Sequence, residues 1–162
     1  PLPIENITIN QTPNKNYPGT GPKGLIDRKK GTTNFHTSHW MGFAGGDLEA
    51  VIELEKRTSF QKVTASLLSD QGSWIFMPES VEVYCSNDGK DFKFLGSKKI
   101  KPTADGEPIG LYFEEVSFPK GQAKFIKVVI KNISGIPDWH PGKGTPSWLF
   151  IDEILFGYGY LL

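Results

Sequence analysis

Aromatic and histidine side chains fall in three stretches of this chain that lack the period of a helix or a strand. Together they offer one kind of chemistry. An aromatic face can stack on the apolar face of a sugar ring, and polar groups at its edge can hydrogen-bond to the hydroxyls. The candidate ligand-binding residues are Trp139, His140, Trp74, Phe76 and His36.

Each aromatic candidate has a structural alternative, namely packing in the core. Trp139 and His140 stand between Pro137-Asp138 and Pro141-Gly142, a rigid loop with no packing period, so ligand binding is favoured there. For Trp74 the two interpretations are balanced. Trp148 opens a strand, which favours packing.

Motifs that would support catalysis are absent from the sequence. It contains no Gly-x-Ser-x-Gly, no His-Glu-x-x-His, no phosphate loop and no dinucleotide fingerprint. Asp70 or Asp138 beside a tryptophan does not make a carboxylate pair. The formal net charge is zero, with 18 basic and 18 acidic residues, which argues against a nucleic-acid partner. No apolar run is long enough to predict membrane insertion.

A β-hairpin over residues 78–94 is the clearest element that must position these loops. Val81, Val83 and Cys85 alternate with polar residues, which predicts a strand with one buried face and a buried thiol at Cys85. The tripeptide Asn87-Asp88-Gly89 then supplies a tight turn that requires positive φ.

Similar alternation predicts the rest of an antiparallel β-sandwich. In residues 125–131 the side chains of Ile126, Val128 and Ile130 share one face. The apolar run Trp74 to Met77 cannot enter one core completely, so at least one of its aromatic rings should lie on a loop surface or against another loop. Further strands are predicted at 4–9, 48–54, 60–68, 109–113 and 148–156, with a turn at 55–58 and loops at 102–108 and 134–147.

The order of these motifs resembles a known family from end to end. Leu25-Ile26-Asp27, then Ser-Asn-Asp-Gly at 86–89, then Phe-Ile-Lys-Val at 125–128 and Phe-Ile-Asp-Glu-Ile at 150–154 are similar to discoidin-like domains. These are also called coagulation-factor C-type domains, and they include family 32 carbohydrate-binding modules. Residues 70–78 and 137–142 further resemble the C-terminal module of Bacteroides-type β-N-acetylhexosaminidases.

The resemblance implies an all-β, galactose-binding-domain-like jelly roll that spans residues 1–162 as a single module. It implies that the module is a piece of a larger secreted glycosidase whose chemistry resides in a separate barrel domain. The expected partners are a glycan and that catalytic domain, and the expected location is secreted, periplasmic or at the bacterial cell surface. The open alternative is a structural accessory domain that packs against the catalytic domain without binding sugar.

The resemblance also implies a structural calcium ion. The positions that match the family's ligands are Asp27, Thr32 and Glu153, with backbone carbonyls at Gly24 and Lys29. Family members place a tryptophan near this loop for packing, which is the role expected of Trp40. The sequence departs from the family at Arg28, where glycine is usual, and at Lys29-Lys30, whose charges oppose a nearby cation. The alternative is that Asp27 caps a turn and Glu153 is a carboxylate at a sheet edge.

Overall fold

The computed structural model describes residues 3–156, in which antiparallel strands dominate and the only helices are two short 3₁₀ turns at Pro22–Ile26 and Gln71–Ser73. No helix in this part of the chain is long and apolar enough to cross a membrane. The strands are β1 (Ile4–Ile9), β2 (Met41–Phe43), β3 (Leu48–Ser69), β4 (Ser80–Ser86), β5 (Lys93–Lys99), β6 (Gly110–Lys131) and β7 (Leu149–Phe156).

Strands β3 and β6 form the frame of the sandwich because each contributes to both layers. The first half of β3 pairs with the second half of β6 through Leu48↔Ile130, and the later pairing runs from Lys62↔Ser117 to Ser69↔Gly110. Register shifts between Glu53 and Thr58 and between Phe60 and Lys62 separate the two halves. Such irregularities bend a strand pair, so the paired strands pass together from one layer to the other.

The remaining strands extend these two halves into layers. β1 pairs with the first half of β3, while β4 pairs with the second half of β6 and carries β5 on its outer edge. β7 pairs with the second half of β3 and carries β2. The result is an antiparallel jelly-roll β-sandwich. Both termini of β3 and β6 lie at one end, which we call the loop end, and their bends lie at the other, which we call the bend end.

The predicted core is confirmed with one exception. Val81, Val83, Ile126, Val128 and Ile130 are buried and belong to a single cluster with inward residues of the second layer. The prediction of a buried thiol was wrong, because Cys85 is only partly buried. Its pairing with β6 stays in register through Cys85↔Ile126, so Cys85 keeps the inward face of β4 and packs against the core one residue before the strand ends.

The turn of the β4–β5 hairpin has the predicted chemistry. Gly89 adopts φ +77°, in the left-handed region that glycine tolerates best. Asp88 accepts backbone N–H groups from Asp91 and Lys90 and a hydrogen bond from the Ser86 hydroxyl. These bonds, led by that from Asp91, lower the pKa of the Asp88 carboxyl to about 2.

Two predicted interruptions are absent. Residues 55–58 do not form a turn but continue β3 through its bend, and 109–113 and 125–131 belong to one strand, β6. The polar run Glu55-Lys56-Arg57 is exposed because the bend leaves the core there. A local pattern of polar residues therefore marks a bend between layers as readily as it marks a chain reversal.

Trp40 is fully buried, as predicted, and it holds the loop before β2 against the sandwich. Its indole N–H donates to the carbonyl oxygen of Thr32 at 2.7 Å. Gly31 lies so close to the indole ring that a Cβ atom there would overlap it.

We expect Gly31→Ala to destabilise the protein by about 1–3 kcal/mol, because the new methyl group must displace a fully buried ring. Urea denaturation measures the change. Gly72→Ala is the matched control, since a Cβ at Gly72 meets only the Asp70 side chain, at 3.7 Å. Equal denaturation midpoints for the two variants would contradict the packing described here.

Candidate functional site

Trp74 and Trp139 are exposed aromatic residues on neighbouring loops at the loop end. Trp74 is 38% exposed and Trp139 is 40% exposed, whereas Ile75, Phe76 and Met77 are all buried. The sequence-based expectation that one aromatic of this run lies on a surface is thus met by Trp74. Trp74 closes the 3₁₀ turn with φ +62°, an uncommon conformation for a bulky residue.

His140 holds the two tryptophan loops together. Its Nδ1 accepts the backbone N–H of Gly142 at 2.9 Å, so Nε2 carries the proton and donates to the carbonyl oxygen of Gln71 at 2.7 Å. Its ring meets those of Trp74 (4.7 Å between centroids) and Trp139 (5.9 Å) edge to face. The indole of Trp74 covers Gly142 so closely that no Cβ would fit there.

The role expected of His140 needs correction. The residue is only 7% exposed, and both ring nitrogens are already engaged by backbone groups. It therefore cannot serve as a hydrogen-bond partner at the edge of a ligand. Its function is to fix the positions of the two exposed indoles.

Phe76 also supports the site from below instead of contacting a ligand, contrary to the sequence-based expectation. It is 1% exposed, and its ring packs against those of Trp139 (5.7 Å) and His140 (5.0 Å). Its backbone N–H donates to the Ser147 hydroxyl. The consecutive apolar residues could not reveal which ring faces outward, because the 3₁₀ turn before Trp74 sets that direction.

The loop that carries Trp139 is rigid. Two backbone hydrogen bonds of 2.9 Å close it. The Ile136 N–H donates to Thr145 O, and the Gly144 N–H donates to Ile136 O. The two ends of the loop are joined by the Asn132 side chain, which donates to Ser147 O at 3.0 Å. The Trp74–Trp139 pair, which we call the tryptophan platform, is therefore held in place in the free protein. This lowers the entropy cost of binding a ligand.

His36 is separate from the Trp74–Trp139 pair. It is exposed and lies against Phe35 (4.2 Å) and Tyr17 (5.9 Å). Tyr17 in turn meets the partly buried Trp148, which packs as predicted. The backbone N–H of Trp148 donates to Trp74 O, so the two aromatic groups are connected through the sheet.

Sequence reasoning did not single out three residues near the exposed aromatic rings: Tyr17 beside His36, and Asp138 and Lys143 on the Trp139 loop. Tyr17 lies in a proline- and glycine-rich segment that carried no period. Asp138 and Lys143 are exposed on the Trp139 loop and form no ion pair within residues 3–156. Their positions close to Trp139 in the chain were a usable signal.

The loop predicted to bind a cation does lie beside the carboxylates of β7. Glu153 is completely buried, and its Oε2 accepts the backbone N–H of Arg28 at 2.7 Å. Arg28 adopts φ +65° at the position where glycine was expected. The chain therefore keeps the left-handed conformation with an arginine, at a cost in strain.

Further hydrogen bonds hold this loop together and tie it to β7 and Trp40. Asp27 is exposed and accepts the backbone N–H of Lys29 at 2.8 Å, and Gly31 donates its N–H to Oδ2 of the buried Asp152. Thr32 accepts the N–H of Asn34 through its hydroxyl and the Trp40 indole through its carbonyl. Lys29 is exposed, as expected if its charge points away from the carboxylates.

Burial makes these acids unusually hard to ionise. Desolvation raises the pKa of Glu153 to about 9; the Arg28 N–H opposes the rise, and the adjacent Asp27 adds to it. Desolvation likewise raises the pKa of Asp152. Glu153 Oε1 and Asp152 Oδ1 are buried without a hydrogen-bond partner.

Two unpartnered carboxylate oxygens are the kind of feature that a bound cation would satisfy. However, no group of three or more His, Cys, Asp or Glu side chains in residues 3–156 converges on one point to hold a metal ion. A cation here would consequently need backbone carbonyl oxygens as well. Calcium accepts such ligands readily, and Gly24 and Lys29 are the positions expected to supply them.

Comparison with solved structures places the fold among carbohydrate-binding modules. A pectin-binding module covers 100% of this chain and 96% of its own, with 19% identity and a TM-score of 0.58. The module CpGH89CBM32-5 from Clostridium perfringens, in complex with GalNAc-β-1,3-galactose, covers 94% of each chain, with 15% identity and a TM-score of 0.59.

A third match shows the fold inside a larger protein. The chain is similar to part of a structure containing the CBM32-1, CBM32-2 and M60 catalytic domains of ZmpB from Clostridium perfringens. That match has 17% identity and a TM-score of 0.60, and it covers 95% of this chain but 14% of the other. No protein-family model and no curated protein matches the sequence. The chain thus has the discoidin-like fold of family 32 carbohydrate-binding modules.

In the absence of divalent cations, we expect stability to fall as pH rises from about 4.5 to about 9. The pKa of Glu153 is raised from 4.5 to about 9 in the folded state, so the folded protein holds a proton that the unfolded chain has lost. This contribution is fully present below pH 4.5 and is lost as pH passes 9. Asp152, also raised, acts in the same direction.

Thermal melts in EDTA across this range test the expectation. Glu153→Gln should flatten the slope, while Glu55→Gln, at an exposed position, should leave it unchanged. A wild-type slope that persists in Glu153→Gln would show that other groups cause it.

Proposed function

We propose that the chain is a non-catalytic carbohydrate-binding module that recognises a sugar through Trp74 and Trp139. The observation that carries the proposal is that two exposed indoles are held by a buried histidine whose hydrogen bonds are complete. A stability role alone does not require two large aromatic faces to remain in solvent. Aromatic faces backed by a rigid loop suit the apolar side of a pyranose ring.

The neighbouring structures support this proposal at the level of ligand class. One is described as pectin-binding, and another contains GalNAc-β-1,3-galactose. We propose N-acetylhexosamine- or galactose-bearing glycans as ligands, with Asp138 and Lys143 available to the hydroxyl and amide groups. His36 belongs to the adjacent Tyr17 cluster and would contact only a ligand longer than one sugar unit.

The parent protein that we propose is a secreted bacterial glycoside hydrolase similar to β-N-acetylhexosaminidases. This part of the proposal rests on the resemblance of residues 70–78 and 137–142 and on the match to a module within a larger catalytic protein. The module would hold the enzyme near its substrate at the cell surface, in the periplasm or outside the cell. The bond-breaking residues would then lie in another domain.

A structural accessory domain is the second candidate function. The same exposed indoles would then pack against the catalytic domain. The specific observation that favours it is that His140 and Phe76, which were expected to face a ligand, are instead buried as supports. The two functions differ in whether the isolated module binds sugar.

We further propose a calcium ion at the loop between Asp27 and Thr32. The residues fit such an ion through the unpartnered oxygens of Glu153 and Asp152 and the adjacent Asp27. Calcium would replace the protons that these acids otherwise retain and would tie the loop to β7. Its role would be structural, since the loop is held by the sheet and carries neither of the exposed tryptophans.

Trp139→Ala should abolish binding of N-acetylgalactosamine, N-acetylglucosamine and galactose, measured by calorimetric titration of each. Its melting temperature should stay close to that of the wild type, because an exposed loop side chain contributes about 0.5 kcal/mol or little more. Phe94→Ala is the control, since Phe94 is 52% exposed on β5 and should leave sugar binding intact.

Two outcomes would redirect the proposal. If the wild-type module binds none of the three sugars while remaining folded, the accessory-domain function is favoured. If Trp139→Ala unfolds the module, Trp139 is a core residue and neither function can use it as an exposed face.

Calcium should raise the melting temperature of EDTA-treated protein, because a ligand that binds only the folded state stabilises it. At a calcium concentration of 100 times Kd the gain is about 2.7 kcal/mol. Asp27→Asn should reduce the shift, while Asp105→Asn, on an exposed loop, should leave it unchanged. An identical shift in Asp27→Asn would place the ion elsewhere.

A further inference from the structure

A cleft of about 350 Å³ opens at the bend end of the sandwich, away from the tryptophans. One wall is the bend of β3 and β6, and the other is the β4–β5 hairpin. Its volume falls within the range of small-ligand sites in proteins. The lining residues that matter below are Arg57, Phe60, Cys85, Asn87, Lys93 and Gln122.

The floor of the cleft is apolar. Phe60 is 4% exposed and its ring packs edge to face on Phe118, while Cys85 and Leu95 are partly buried against the main core. Cys85 lies on the inward face of β4, opposite Ile126, and lines the cleft where the core opens at this end. A ligand can therefore remove apolar surface from water here.

Two cations stand on opposite walls without acidic partners. Arg57 belongs to the bend of β3 and Lys93 begins β5, and neither forms an ion pair with any residue in 3–156. Other lysines on the same strands are paired, as in Lys62–Glu115 at 3.5 Å and Lys98–Glu114 at 2.9 Å. Unpaired cations that share a cleft favour an anionic ligand, and Arg57 in particular suits a carboxylate.

Neutral hydrogen-bonding groups complete the rim. The Asn87 amide makes no hydrogen bond within the described chain, and Gln122 uses its Nε2 on Ser59 Oγ at 3.2 Å, which leaves its carbonyl oxygen available. Asp91 supplies one carboxylate that can accept from hydroxyl groups. The lining thus combines a net charge of one positive unit, counted as Arg57 and Lys93 less Asp91, with several uncharged partners.

We propose that this cleft binds a uronic acid unit of an acidic polysaccharide. The ring would lie over Phe60 and Leu95, the carboxylate would lie between Arg57 and Lys93, and the hydroxyls would meet Asn87, Gln122 and Asp91. An acidic peptide shares the carboxylate but has no pyranose ring to cover Phe60 and Leu95. The site is independent of the tryptophan platform and does not rest on the function proposed for it.

Cys85 allows a direct test, because it is the single cysteine in the sequence and lines the cleft. Galacturonic acid should slow the reaction of its thiol with a maleimide reagent. At a ligand concentration of ten times Kd the labelling rate should fall about elevenfold, since only the free protein reacts. Galactose, which lacks the carboxylate, and acetate, which lacks the ring, should protect far less.

Matched variants assign the effect to the two cations. The double variant Arg57→Gln/Lys93→Gln should lose the protection, because each lost charge weakens binding about tenfold. The control is the double variant Lys101→Gln/Lys120→Gln, which changes two exposed residues outside the cleft and should keep the protection. Trp139→Ala should retain full protection, which separates this site from the sugar platform. Calorimetric titration of Cys85→Ser with galacturonic acid provides a second measurement of binding that does not depend on the thiol reaction.

Three results would overturn the proposal. The first is equal protection by galactose and galacturonic acid, and the second is protection that survives the loss of both cations. The third is protection by a hexaglutamate peptide but not by galacturonic acid, which would make the cleft a peptide site.

Discussion

The pairing of β3 with β6 is the constraint on which the rest of the structure depends. Each strand has 22 residues and serves both layers, so the two layers cannot separate without breaking the pairing of the same two strands. The register shifts at Glu53 and Phe60 allow the pair to bend while most of its ladder remains hydrogen-bonded. Because both strands bend at the same level, all their termini meet at one end of the sandwich.

This geometry divides the molecule into two chemically different ends. At the loop end, the segments after β3 and β6 are brought side by side, which allows His140 to bridge from its own loop to Gln71. The outcome is a pair of exposed indoles on a rigid support. At the bend end, the polar residues that leave the core stand opposite the β4–β5 hairpin, and charged side chains surround an apolar floor.

The loop at Asp27 to Thr32 covers two acids of β7 without satisfying all of their oxygens. Glu153 and Asp152 are adjacent in β7, yet both are buried, because the loop covers one carboxylate with the Arg28 N–H and the other with that of Gly31. One oxygen on each acid remains unsatisfied. An ionised carboxylate is costly to bury without full partners, which is why burial raises the pKa of both acids.

Most strand positions, the turn of the β4–β5 hairpin and most of the core could be predicted from the sequence, whereas the continuity of β3 and β6 through their bends could not. Alternation at Val81 and Val83 and at Ile126 to Ile130 specifies which face is buried, since side chains on a strand alternate between faces. The consecutive apolar residues from Trp74 to Met77 indicated one exposed ring, and the place of Trp148 at the start of a strand indicated that it packs. The packing of Trp40 was implied by the family resemblance instead. The strand properties are local, and a period of two residues is enough to reveal them.

Which residues share a site follows from the long-range contacts. The partial exposure of Cys85 follows from its place at the end of β4 beside the cleft, and the roles of His140 and Phe76 follow from contacts with residues more than sixty positions away in the chain. The cleft at the bend end has no sequence signature, because Arg57 and Lys93 line one cleft only after β3 bends and the β4–β5 hairpin folds beside it. Long-range pairing sets these positions, and no local pattern encodes it.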